Sequence, residues 1–89
     1  MRMADRIREL LERELAPVEL SVADDSARHA GHAGNPDGVG ETHFAVRVVS
    51  PVFSGLGRVA RHRKVNGLLA REFDHGLHAL QLTLLAPGE

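Results

Sequence analysis

The order of elements legible in the chain is helix, strand, strand, helix, strand. That order predicts a small α/β domain of the α+β kind, a three-stranded mixed sheet with both helices on one face. Three observations carry the prediction. Met3 to Leu15 and Arg58 to Phe73 repeat their apolar residues at helical spacing. Val18 to Ala23 and Thr42 to Ser50 alternate apolar with polar. Leu77 to Leu85 is a short leucine-rich run bounded by Gly76 and by Pro87-Gly88. Because a helix joins the last two strands, they are expected to be parallel with a right-handed crossover, while the first two form a long-looped hairpin.

In the first helix Met3, Ile7, Leu10, Leu11 and Leu15 fall on one side, and Asp5, Glu9, Glu12 and Arg13 on the other. Asp5 suits the positive end of the helix dipole, and Glu9 and Arg13 are spaced for an i,i+4 pair. Pro17 forces the stop. In the first strand Val18, Leu20 and Val22 are expected to point inward, with Glu19 and Ser21 outward. Asp24 to Glu41, DDSARHAGHAGNPDGVGE, shows no periodicity and reads as a loop long enough to suggest a function; it carries His29 and His32. The second strand places Phe44, Val46 and Val48 on one face and His43, Ala45 and Arg47 on the other, as a half-exposed strand would. Phe53, in the tight connection Pro51 to Gly57, is expected to be a buried anchor.

Placed at 100° per residue, the long second helix gathers Val59, Val65, Leu69 and Phe73 into one core-facing stripe with His62 in its middle. A histidine there is expected to be structural, bonded to backbone. Arg61 and Arg63 flank the stripe, and Lys64 and Arg71 point away from it. Gly76 suits a left-handed cap just beyond the helix. Strand parity then puts His78 on the face of Leu80, Leu82 and Leu84, at the end of a buried row.

Eighty-nine residues make one domain with a single modest core, burying roughly 60 to 70% of the surface its unfolded form exposes. A hydrophobic fraction of 43% and a charged fraction of 26% are ordinary for a folded globular chain. The formal net charge of -1 lacks the basic field expected of a protein that holds nucleic acid by phosphate neutralisation alone, and there is no Tyr or Trp. Gly55-Leu56-Gly57 is not a GxxG loop of the kind that clamps a nucleic-acid backbone. No apolar run approaches the roughly 20 residues of a membrane span, and the N-terminus mixes acidic with basic residues, unlike a targeting signal. A cytoplasmic protein with no membrane role is the expectation.

With no cysteine the chain offers neither a disulfide nor a thiolate, but it has six histidines. No Cys nucleophile, no conspicuous Ser-His-Asp spacing and no phosphate-cradling glycine motif are present, so an enzyme is not expected. His29-x-x-His32 and His75-x-x-His78 have the spacing of half-sites for zinc, although a structural zinc site without thiolates is unusual. For Arg58, Arg61, Arg63 and Lys64 two readings stand: a solvated helix surface, or contact with a partner or phosphate.

Several stretches together resemble the BolA family. They are Val22-Ala23-Asp24-Asp25-Ser26 followed by a histidine loop, Glu41-Thr42-His43-Phe44, Val49-Ser50 followed by Phe53-x-Gly55, Arg61-His62-Arg63-x-Val65, and His78-Ala79-Leu80. The resemblance covers essentially the whole chain. It implies a fold similar to class II KH domains and two activities: partnering a monothiol glutaredoxin, with glutathione, around a shared [2Fe-2S] cluster, and DNA-linked transcriptional regulation as the alternative. The cluster ligands it implies are His78 and a histidine of the loop, with His29, in Asp25-Ser26-x-x-His29, the better match and His32 three residues on. Imidazole replaces thiolate on one iron of Rieske centres, so two histidines here need thiolates from a partner. The isolated chain is then expected to hold no cofactor and to be a monomer or weak homodimer. The chain departs from the family in a longer, more glycine-rich loop and in Asn66, where many relatives have an aromatic residue.

Overall fold

The computed structural model describes residues 2–24 and 43–89. Its elements are α1 (Met3–Leu15), β1 (Glu19–Asp24), β2 (His43–Val49), a 3-10 turn (Pro51–Phe53), α2 (Arg58–Leu68), α3 (Ala70–Asp74) and β3 (Ala79–Leu85). The sheet runs β1-β2-β3, with β1 antiparallel and β3 parallel to β2, as the connections require.

Met3, Ile7, Leu11 and Leu15 recur every four residues and are all buried, and they bring α1 onto Phe44, Val46, Val48 and Leu84 of the sheet. Leu10 packs half-buried beside them. The helix ends at Ala16, which takes a left-handed backbone (φ 43°) just before Pro17. The buried Ser50 hydroxyl donates to the Leu15 carbonyl and accepts from the Val52 amide at 3.2 Å, tying the open end of α1 to the turn after β2. Phe53 is fully buried, as its place in the tight connection predicts.

The sheet's opposite face carries Ser21, Ala23, Ala45, Arg47, Gln81 and Thr83 around a shallow depression. Small and polar residues there leave the apolar layer on one side only, so both long helices lie on the same face. Among the described residues, no helix is long and apolar enough to cross a membrane.

Several expectations need correction. The second helix does not run unbroken from Arg58 to Phe73; Leu69 (φ -97°, ψ 9°) separates α2 from α3. Asn66 and Gly67, both weak helix formers, precede the break. Val65 and Leu69 are fully buried, but beyond the break Phe73 is 40% exposed and Glu72 is buried. Arg6 of α1 meets that carboxylate at 3.3 Å. Val59, in the first turn of α2, is 62% exposed. His62 is half-buried and outside the core, although its Nδ1 does bond backbone, 2.9 Å from the Arg58 carbonyl of its own helix.

β1 begins one residue later than the alternation suggested, and Val18, at the corner where the chain turns out of α1, is exposed. β2 is not half-exposed: as the central strand it buries His43 and Val49 as well as Phe44, Val46 and Val48. Leu77 is buried ahead of β3, which starts only at Ala79, and Gly76 takes the positive φ (114°) that lets the chain turn into it.

Candidate functional site

Antiparallel pairing of β1 with β2 and parallel pairing of β2 with β3 bring three chain points to one end of the sheet. These are the end of β1 at Asp24, the start of β2 at His43 and the start of β3 at Ala79. The register opposes Asp24 to Phe44 and His43 to Ala79, so His78, one residue before β3, lies beside His43. Their ring centroids are 5.4 Å apart with the planes inclined at 53°. His43 is buried and His78 exposed, so the pair has one imidazole packed into the sheet end and the other facing outward.

Among the described residues no group of three His, Cys, Asp or Glu side chains could hold a metal ion. With no thiolate or carboxylate beside them, the two imidazoles could supply at most part of a metal's coordination set.

His78 therefore stands at the expected end of the sheet, although it precedes β3 and is exposed, not closing a buried row. His29 and His32 lie outside the described residues. His43 was missed as a site residue because alternation alone assigned it to the outer face of a half-exposed strand. The signal that finds it is the topology: parallel strands begin at the same end of the sheet, so residues at the two starts become neighbours. His75 is turned elsewhere, with Nδ1 2.6 Å from the Arg71 carbonyl, and lines a groove with Arg6, Arg71 and Glu72.

The four cations of α2 separate into two kinds. Arg58, Arg63 and Lys64 are exposed. Arg61 is instead enclosed, with its side chain only 13% exposed. Its Nε donates to the Leu56 carbonyl at 2.8 Å, Nη1 to the Leu84 carbonyl at 3.1 Å, and both terminal nitrogens to the Glu89 carboxylate, at 2.5 and 2.8 Å. The guanidinium also lies 5.9 Å from the centre of the Phe53 ring. Hydrogen bonds from Arg61, and then from the Ala86 amide, lower the Glu89 pKa from 4.5 to about 2. Arg61 is thus a tie between α2 and the end of β3, not a free contact residue.

A family model described as BolA-like protein matches residues 11–89. The chain is 46% identical over 89 residues to an uncharacterised protein in the cobS 5' region of a Sinorhizobium species, covering all of this chain and 96% of that one. It is 51% identical over 87 residues to the chloroplastic protein BOLA1 of Arabidopsis thaliana, covering 97% of this chain but only 54% of the relative's length. The solved structure of BolA1 from Arabidopsis thaliana superposes with a TM-score of 0.89 at 45% identity, over 100% of this chain and 96% of the other.

Proposed function

This chain belongs to the BolA-like protein family, and from that membership together with the adjacent His43 and His78 we propose that it is a non-enzymatic adapter. It partners a monothiol glutaredoxin and contributes imidazole to a bridging [2Fe-2S] cluster in iron-sulfur trafficking or iron regulation. The observation that carries the reading is the position of His78. His78 faces outward beside His43 at the sheet end to which both ends of the segment bearing His29 and His32 are joined. A chain without cysteine has no thiolate for an iron-sulfur cluster, so the thiolates belong to the partner and to glutathione. Imidazole in place of thiolate raises a cluster's potential, the chemistry this chain would add. His78 is the ligand its exposure favours; His29 or His32 supplies the second nitrogen, and His43 packs against the His78 ring and orients it. Arg58, Arg63 and Lys64 offer exposed positive charge to glutathione carboxylates or to the glutaredoxin surface.

The test is anaerobic cluster assembly with a monothiol glutaredoxin, glutathione, iron and sulfide, read by visible circular dichroism and by the midpoint potential. With the wild-type chain, both should differ from the glutaredoxin cluster alone. His78→Ala should abolish that difference while far-ultraviolet circular dichroism stays native, and His29→Ala should weaken it. A spectrum and potential unchanged by His78→Ala would remove the ligand assignment. The three exposed cations favour a second reading, phosphate contact in a DNA-binding regulator.

A further inference from the structure

The edge of the sheet formed by β3 is built unlike the other one. β1 carries Glu19 and Asp24 at its two ends, the charges with which natural edge strands discourage pairing. β3, Ala-Leu-Gln-Leu-Thr-Leu-Leu, has no charge and no proline. Its free main-chain groups follow from parity. The Leu85 carbonyl accepts from the Ser50 amide, so Leu85, Thr83, Gln81 and Ala79 direct their backbone toward β2, while Leu80, Leu82 and Leu84 direct theirs away from the sheet. Arg61 caps the Leu84 carbonyl, and Glu89 caps the next outward amide, that of Ala86, at 3.0 Å. Both caps lie at the far end of the strand; among the described residues no backbone partner meets Leu80 or Leu82 from outside.

We infer that this edge pairs with the same edge of a second copy of the chain, antiparallel about a two-fold axis at Leu82. The occupant follows from self-complementarity. Leu80-Gln81-Leu82-Thr83-Leu84 reads apolar, polar, apolar, polar, apolar in both directions, so an isologous pair sets Leu82 against Leu82 and Leu80 against Leu84, and Gln81 against Thr83. No like charges meet. The half-buried Leu80 and Leu82 would gain cover on the helix face, and the sheet would become six-stranded and continuous. The Arg61 cap opposes the pairing, because in this register the Leu84 carbonyl is the acceptor for the partner copy's Leu80 amide. The tie between α2 and Glu89 therefore keeps the association weak.

The experiment is sedimentation equilibrium of the full chain combined with residue-resolved amide exchange at rising protein concentration. A monomer–dimer equilibrium is expected, with exchange at Leu80 and Leu82 slowing as concentration rises and exchange at Gln81 and Thr83, already paired with β2, unchanged. Gln81→Glu/Thr83→Glu and Gln81→Lys/Thr83→Lys alter only exposed positions, and each should abolish the dimer, whereas an equimolar mixture of the two should restore it. Arg61→Met, which keeps the stem over Phe53 but frees the Leu84 carbonyl, should tighten the dimer roughly tenfold through two further bonds. A chain that stays monomeric with concentration-independent exchange at Leu82 overturns the inference. So does a dimer that survives both charged variants, or protection of Leu82 that appears only on adding glutaredoxin.

Discussion

Ser50 shows how one small polar residue holds distant parts of the fold. Its hydroxyl serves a carbonyl that the end of α1 leaves open and also caps the turn after β2, and it is fully buried. Replacement by alanine leaves the Leu15 carbonyl and the Val52 amide without that partner, a loss of about 1 to 3 kcal/mol. Urea unfolding should show a lower midpoint with unchanged slope. Glu89 makes a different kind of prediction. Its pKa falls from 4.5 to about 2 on folding, so its contribution is present above about 4.5 and is lost as pH drops toward about 2. In urea melts across that window, the gap between wild type and Glu89→Gln should narrow with falling pH; a constant gap would mean that the tie to Arg61 does not form in solution.

The second helical segment is where periodicity and packing part. A straight helix would give Val65, Leu69 and Phe73 comparable weight, but the break at Leu69 leaves Phe73 40% exposed and Val65 and Leu69 fully buried. Leu69→Ala should therefore cost about 2 to 5 kcal/mol, and Val65→Ala somewhat less. Phe73→Ala should cost well under half of the Leu69→Ala value in the same chemical denaturation series. Similar losses at Leu69 and Phe73 would restore the unbroken stripe. The chain leaves α3 through Gly76, at φ 114°, and Leu77, and His78 follows immediately before β3.

Across the whole molecule, charge and topology do separate work. A net charge of -1 gives no general attraction for nucleic acid, so phosphate binding by the α2 surface would rest on its exposed Arg58, Arg63 and Lys64. Removing one of these should reduce the slope of log affinity against log salt by about one, while Arg61→Met, with its guanidinium enclosed, should leave the slope nearly unchanged. Fluorescence anisotropy with a labelled duplex over a salt series measures this. Equal slope changes for all four would show Arg61 leaving Glu89 to bind phosphate.

What the amino-acid order alone determined is what short-range geometry controls. Four-residue recurrence in α1, alternation in β2 and the glycine after α3 specified the elements, and the helix between β2 and β3 made those strands parallel. Parallel strands in turn placed His78 at the loop's end of the sheet. The break at Leu69, the inward Glu72 opposite Arg6, the burial of His43 and the enclosure of Arg61 by Leu56, Leu84 and Glu89 were not legible there. Each depends on which distant surface comes to lie beside the residue, and Glu72 meets a partner 66 positions away. A charge pattern records that a side chain is cationic, but only the tertiary structure decides whether its hydrogen bonds are already used within the chain.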